Sequence, residues 1–345
     1  MAINKRLIKS NEGGAAVPTS FNTVLYNGVF PSYPNVTGVG FTPDVVWIKN
    51  RDSSGENHNL TDVVSGFGKI LYPNLTNAQG GSDDYLVSQI TDGFSVNTDN
   101  ANVNGNRYVA WCWKAGGAAV TNTDGTITSQ VSANTEAGFS IVTGSVPSSG
   151  FTNTFGHGLN DTPKIVISKV RNDASDWVVS NSFLANNCLI LNTTAAAFSD
   201  SGFAQTSTTI KTAFTTSAFD FVAYCFAEVA GFSKFGSYSG IDDTDVKVYT
   251  DSNGDGTGTG AFQPRFVMIK LYNNTGGSWA MFDALRDGGN PTYNLLFANL
   301  ANAESTYSNI YGVQFDSDGF TVKGHTGGND QINETGGSYI FMAFA

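Results

Sequence analysis

The stretch Asp251-Ser-Asn253-Gly-Asp255-Gly256 is where this chain's residues come nearest to a known chemistry. Asp, Asn and Asp at alternate positions, followed by Gly, form the first half of a calcium loop: side-chain oxygens converge on the ion and the glycine makes the bend. The glutamate expected at the twelfth position is replaced by Phe262, although Asp242, Asp243 and Asp245 stand just upstream. Gly, Asp, Asn and Thr are also ordinary turn residues, so a solvated insertion loop is the favoured expectation. Calcium is the one cofactor that the spacing suggests.

Nothing else has the spacing of a reaction centre. His58, His157 and His325 are read as surface-loop residues, since no paired histidine or Cys-x-x-Cys stands at metal spacing. No nucleophile elbow, P-loop or dinucleotide fingerprint occurs, so no enzyme is expected. Cys112, Cys188 and Cys225 are too few for a disulfide framework. Trp177 and Trp279 each follow a strand that ends in Lys, by eight and nine residues. Matching places favour a core role for them, with stacking on a glycan as the alternative.

Composition explains the scarcity of chemistry. Of 345 residues only 14% are charged, 40% are hydrophobic and 39 are Gly. Thr, Ser and Asn take the room of Lys and Glu, which suits strands and turns and points to an all-β protein. A net charge of −11 and a pI near 4.6 argue against nucleic acid and against an anionic membrane surface. No apolar run reaches membrane-spanning length. The first residues, MAINKRLIKSNEGG, lack the apolar core of a secretory signal, so synthesis in a cytoplasm is expected.

The elements that would position any site come in three copies. A Pro precedes a strand ending in Lys at Phe41-Thr-Pro-Asp-Val-Val-Trp-Ile-Lys49, Asp161-Thr-Pro-Lys-Ile-Val-Ile-Ser-Lys169 and Phe262-Gln-Pro-Arg-Phe-Val-Met-Ile-Lys270. A Leu/Asn/Ala segment follows from Leu71, Leu189 and Leu296, and an aromatic closing strand from Tyr108, Phe221 and Tyr339. Offsets of 120, 118 and 113 relate the first copy to the second, and 221, 225 and 231 relate it to the third. Preserved order with small drift means one fold repeated with loop insertions. The closing strands are apolar at nearly every residue, so they bury both faces or pack one against a neighbour.

These signals predict three tandem antiparallel β-sandwiches at 21–117, 138–232 and 233–345. Residues 1–20 form an N-terminal arm, and 118–137 a linker or edge hairpin. Aromatic residues at the second junction (Phe232, Phe235 and Tyr238) predict tighter docking there than across 115–137. Lys5, Arg6 and Lys9 give the arm a local positive charge, which suggests docking onto a larger particle.

The strings Phe21-Asn-Thr-Val-Leu-Tyr-Asn-Gly28, Gly40-Phe-Thr-Pro-Asp-Val-Val-Trp-Ile-Lys-Asn-Arg-Asp52 and Phe221-Val-Ala-Tyr-Cys-Phe-Ala-Glu-Val-Ala-Gly-Phe-Ser-Lys-Phe-Gly-Ser-Tyr238 resemble a family of repeat proteins. Tailed bacteriophages, notably those of marine bacteria and cyanobacteria, encode that family. The resemblance runs from about residue 20 to the end and departs most at the Asp242–Gly260 insertion. It implies a virion structural component with lectin-like, jelly-roll-like repeats: a capsid decoration or head fibre, or a tail fibre or adaptor. Capsid or tail proteins would be its partners, a homo-oligomer such as a trimer its state, and a host-glycan-binding adhesin the alternative.

Overall fold

The computed structural model describes residues 19–80, 87–96, 98, 100–147, 153–184, 187–200, 204–211, 218–306, 311–325 and 331–345. Lys5, Arg6 and Lys9 lie outside them. The protein is all-β: the described residues include no helix, and every strand ladder is antiparallel.

The first part of the chain contributes β1 (Phe21–Asn27), β2 (Asn35–Thr37), β3 (Val45–Asn50), β4 (Asn59–Asp62), β5 (Val87–Ile90), β6 (Gly93–Val96) and β7 (Arg107–Trp113). They form a sheet β1-β7-β3-β4 and a companion β2-β6-β5. The second part opens with β8 (Val120–Asn122), β9 (Ser129–Asn134), β10 (Phe139–Val146), β11 (Thr154–Gly156) and β12 (Ile165–Val170). It continues with β13 (Val178–Asn181), β14 (Asn187–Ile190), β15 (Phe198–Ser199), β16 (Thr209–Lys211) and β17 (Phe219–Phe226). Its sheets are β15-β14-β13-β12-β17-β10-β9-β8 and β11-β16.

The third part adds β18 (Ser233–Ser239), β19 (Val246–Tyr249), β20 (Phe266–Leu271), β21 (Trp279–Asp283) and β22 (Asn294–Phe297). It closes with β23 (Ser305–Thr306), β24 (Val313–Asp316), β25 (Gly319–Val322) and β26 (Ser338–Phe344), in sheets β18-β26-β20-β21-β22-β23 and β19-β25-β24. The segment 118–137 is therefore no free linker. Its β8 and β9 extend the eight-stranded sheet beyond β10, with Val142 opposite Val131.

The three Lys-ended strands β3, β12 and β20 each lie between a closing strand and the strand that follows them. Alternation along the closing strands decides the core. Tyr108, Ala110 and Cys112 of β7 pack with Val36, Phe94 and Val96 of the companion sheet. Phe221, Ala223 and Cys225 join a second such cluster, and Tyr339, Phe341 and Ala343 a third. Cys112 and Cys225 thus sit where the third copy has Ala343, as small buried residues, and burial pushes both thiols up.

The opposite faces meet in one cluster common to all three parts: Val109, Trp111 and Trp113, then Val222, Tyr224 and Phe226, then Ile340, Met342 and Phe344. The Phe344 ring lies 5.1 Å from Phe21, 5.9 Å from Trp113, 5.8 Å from Phe226 and 6.3 Å from Phe266. Only a small cavity of about 30 Å³ remains at the centre.

A shared core makes unfolding a joint event. Replacing Phe344 by Ala is expected to cost about 3–5 kcal/mol and to lower one cooperative transition in scanning calorimetry. Three separable transitions, only one of them shifted, would contradict the shared core.

Candidate functional site

One set of buried polar groups gathers where the three parts meet, and it does so in the same way each time. The Trp177 indole Nε1–H donates to the Tyr72 carbonyl at 3.0 Å, and that of Trp279 to the Ile190 carbonyl at 2.9 Å. At the third meeting His58 Nε2 reaches the Phe297 carbonyl at 3.0 Å. The acceptors Tyr72, Ile190 and Phe297 each follow the leucine that opens the Leu/Asn/Ala segment. The asparagine of that segment works locally. Asn74, Asn192 and Asn299 accept, through Oδ1, the backbone N–H of His58, Trp177 and Trp279 at 3.0, 2.8 and 2.8 Å.

Two backbone bonds repeat beside each of these. Gly55, Ser175 and Gly276 donate to the carbonyls of Ala301, Thr76 and Thr194. Glu304, Gln79 and Ala197 donate to those of Arg51, Arg171 and Tyr272. The second part thus binds the first, the third binds the second, and the first binds the third. The seams close into a ring, and the seam between the second and third parts is not privileged. Docking across the other two is reinforced by side chains: Arg171 Nε donates to Gln79 Oε1 at 2.8 Å, and Arg51 pairs with Glu304 at 2.7 Å.

The Lys of each repeated strand holds the loop that crosses a seam. Lys49, Lys169 and Lys270 are fully buried, and their Nζ groups donate to the carbonyls of Asn50, Val170 and Gly277 at 2.9, 2.7 and 2.6 Å. Burial pulls each down to about 8. A depressed lysine is a candidate nucleophile, but here each ammonium is tied to main chain.

Buried acids add a further contact. Tyr224 donates to Asp62 Oδ2 at 2.7 Å, and Trp111 Nε1 to Asp283 Oδ2 at 3.2 Å. Their counterparts at the remaining seam are Met342, which cannot donate, and Asn181, whose Nδ2 donates to the Asn187 carbonyl instead. Asp283 belongs to a buried network in which Arg286 pairs with it at 2.6 Å and with Glu304 at 2.9 Å, while Glu304 also holds Arg51. Two arginines and two carboxylates balance.

Comparison with known proteins agrees with the length of this arrangement. A family model described as Domain of unknown function (DUF7483) matches residues 18–345. The chain belongs to that family. No curated protein and no solved structure matches it. The DUF7483 match therefore spans all three parts and the seams between them.

Trp177 and Trp279 are 0% and 1% exposed, so neither ring offers a face for a sugar, and their indoles serve the seams. His58 and His157 are buried, not surface residues: His157 Nδ1 accepts the Leu159 N–H, and His325 is half-buried. In the 251–259 loop the carboxylates turn onto the loop itself. Asp251 accepts the N–H of Gly254 at 2.7 Å and that of Gly258, and Asp255 accepts the N–H and hydroxyl of Thr257. Asn253 Nδ2 donates to Thr257 Oγ1, and Asp245 pairs with Lys323, away from the loop. No group of three or more metal-ligating side chains occurs among the described residues.

The seams themselves were visible in the sequence only as repeated Lys, Leu and Asn. Nothing marked His58 as the counterpart of two tryptophans except its distance of nine residues from Lys49.

His58 carries a pH signature. Trp47 Nε1 can only donate, so at 2.9 Å it makes Nδ1 an acceptor and leaves the proton on Nε2 for Phe297. Burial, reinforced by the nearby Lys49 charge, pulls the ring down to about 3. The unfolded ring protonates near pH 6.5 while the folded ring stays neutral, so stability falls as pH drops from about 6.5 toward 3, by up to about 1.4 kcal/mol per pH unit. Chemical denaturation from pH 7.5 to 4 should show this slope, reduced in His58→Gln. At pH 7, Glu304→Gln should cost about 3–5 kcal/mol by leaving the arginine pair under-neutralised; a loss below 1 kcal/mol in the same measurement would refute the network's role.

Proposed function

We propose that the chain is a non-catalytic structural protein of a bacteriophage particle, built as three tandem antiparallel β-sandwiches closed into a ring. The observation that carries this reading is where the ionisable side chains go. The buried Lys49, Lys169, Lys270, His58, Asp62, Asp283, Arg286 and Glu304 are bonded to main chain or to one another at the seams, where they serve rigidity. A catalytic site needs such groups to converge on a space a substrate can enter. A rigid, acidic, polar-surfaced body suits a capsid decoration or head fibre, or a tail fibre or adaptor. The resemblance to phage repeat proteins supplies the particle, capsid or tail proteins as partners, and assembly as a homo-oligomer. The basic Lys5, Arg6 and Lys9 would aid docking, and the protein would be made in the host cytoplasm.

A host-glycan-binding adhesin is the second reading, favoured by a different pair of rings than Trp177 and Trp279. Phe30 and Tyr33 are 42% and 54% exposed with centroids 6.3 Å apart, beside exposed Val29 and Val103. Exposed aromatic faces are what sugar stacking requires.

Quantitative mass spectrometry of purified particles, paired with imaging of the same sample, tests the assignment. The protein should co-purify at a fixed ratio to the major capsid protein, and its absence from particles while abundant in infected-cell lysate would sink the proposal. For the adhesin, a glycan array should show binding that Tyr33→Ala abolishes without altering thermal stability.

A further inference from the structure

β1 is the outermost strand of its sheet, paired on one side with β7. Bonds from Lys114 N to Ser20 O and from Gly28 N to Asn106 O set the alternation of the ladder. Even-numbered residues therefore face β7, and Phe21, Thr23 and Leu25 turn their backbone groups outward. The Thr23 N–H is taken by Asn22 Oδ1 at 3.0 Å. The outward groups of Phe21 and Leu25, and the Thr23 carbonyl, have no partner among the described residues.

A groove of about 360 Å³ runs along this edge, between Thr37 and Gly38 on one side and Arg265, Ala284 and Leu285 of the third part on the other. Leu25 and Leu285 are 36% and 43% exposed at its mouth. Thr23 also lines the groove. It is 7% exposed, and its buried Oγ1 has no hydrogen-bond partner. The unpaired strand edge offers backbone groups to a further strand, and the Thr23 hydroxyl offers a side-chain bond beside them.

The same chain shows how such an edge is completed. β10 is the counterpart of β1, since Phe139 stands opposite Phe226 as Phe21 stands opposite Trp113. Its outer edge carries β9, with Asn134, Ser132 and Gln130 opposite Phe139, Ile141 and Thr143. At that seam Asp44 accepts the N–H of Ala115 at 2.8 Å and of Gly117 at 3.2 Å, in the stretch that leads from β7 to β8 and β9 rather than in β9 itself. Asp44 follows the Pro of its repeat, and the residue in that place beside the β1 groove is Arg265. Arg265 is exposed, makes no ion pair or side-chain hydrogen bond among the described residues, and precedes Phe266, whose ring lies 5.6 Å from Phe21. Where Asp44 takes amides, a guanidinium takes a carboxylate.

We propose that the β1 edge binds an extended, acidic segment of a partner polypeptide as an added antiparallel strand, its carboxylate held by Arg265 and a polar side chain reaching Thr23 Oγ1. Residues 1–18 carry Lys5, Arg6 and Lys9 against one acid, Glu12, a net positive segment that does not match Arg265, so the proposal takes the strand from another protein. This holds whichever assembly carries the chain, because it requires only the open edge and its arginine.

The probe is a synthetic peptide copying residues 129–137, Ser-Gln-Val-Ser-Ala-Asn-Thr-Glu-Ala, whose Glu136 lies past the residue expected opposite Phe21, toward Arg265. Hydrogen exchange of the full-length chain should slow saturably at residues 21–25 when the peptide is added. Arg265→Glu should weaken that protection about tenfold, and a peptide with Lys in place of Glu136 should restore it, as charge matching requires. Leu25→Pro removes an outward N–H without touching the β7 ladder and should abolish protection; should that variant fail to fold, the charge swap decides alone. No slowing at any peptide concentration overturns the proposal. So does an edge already protected in the free chain, whether protection disappears on deleting residues 1–18 or rises with chain concentration.

Discussion

Everything in this fold answers to the two-sided burial of three closing strands. A strand apolar at every position must find an apolar surface on each face, and one sheet with its companion supplies only one. The other faces of β7, β17 and β26 therefore meet one another, and the rings of Phe21, Trp113, Phe226, Phe266 and Phe344 fill the space between them. Loops caught at the rims of that core lose contact with water, and each of their polar groups needs a partner within the protein.

That need explains which residues recur. The Lys at the end of each repeated strand satisfies carbonyls of a loop that would otherwise be buried unpaired, and the Asn of each Leu/Asn/Ala segment satisfies one amide. Where copies differ, the differences come in matched pairs. A donor at position 111 or 224 meets an acid at 283 or 62, whereas Met342 faces a seam whose counterpart is Asn181 with its amide turned locally. An apolar residue against an unshared buried carboxylate would leave that charge uncompensated. His58 replaces tryptophan by the same logic, because a neutral imidazole with its proton on Nε2 offers the one donor that the Phe297 carbonyl requires.

The outer surface follows different rules. It is acidic overall, and the loop around Asp251 uses its carboxylates to order its own amides, so residues that spell half a calcium site also spell a tight turn. Glycine is demanded at a few places by close approach. A side chain at Gly93 or Gly319 would meet the Val36 or Val248 carbonyl at 1.9 or 2.1 Å, so the companion sheets of the first and third parts need glycine at that crossing. Sheet edges are handled unequally: β10 is covered by β9, while β1 keeps its edge open beside Arg265.

By themselves the residues establish the all-β class, the threefold repetition of strand signals and the burial of the closing strands. Each of these follows from composition or from side chains that alternate with a period of two, and both are local properties. The equivalence of Cys112, Cys225 and Ala343 was legible for the same reason. The ring closure was not, because a bond between residues 58 and 297 leaves no trace in either neighbourhood. The burial of His58 and His157 escaped because Gly- and Asn-rich flanks look alike whether a loop faces water or is pressed into a seam. Aromatic residues at one junction suggested that it was the tightest, but a contact's strength depends on both partners, and the second partner of each seam lies more than a hundred residues away in two of the three cases. Only the packed chain decided which polar groups met, because burial, not residue type, dictates which of them must be paired.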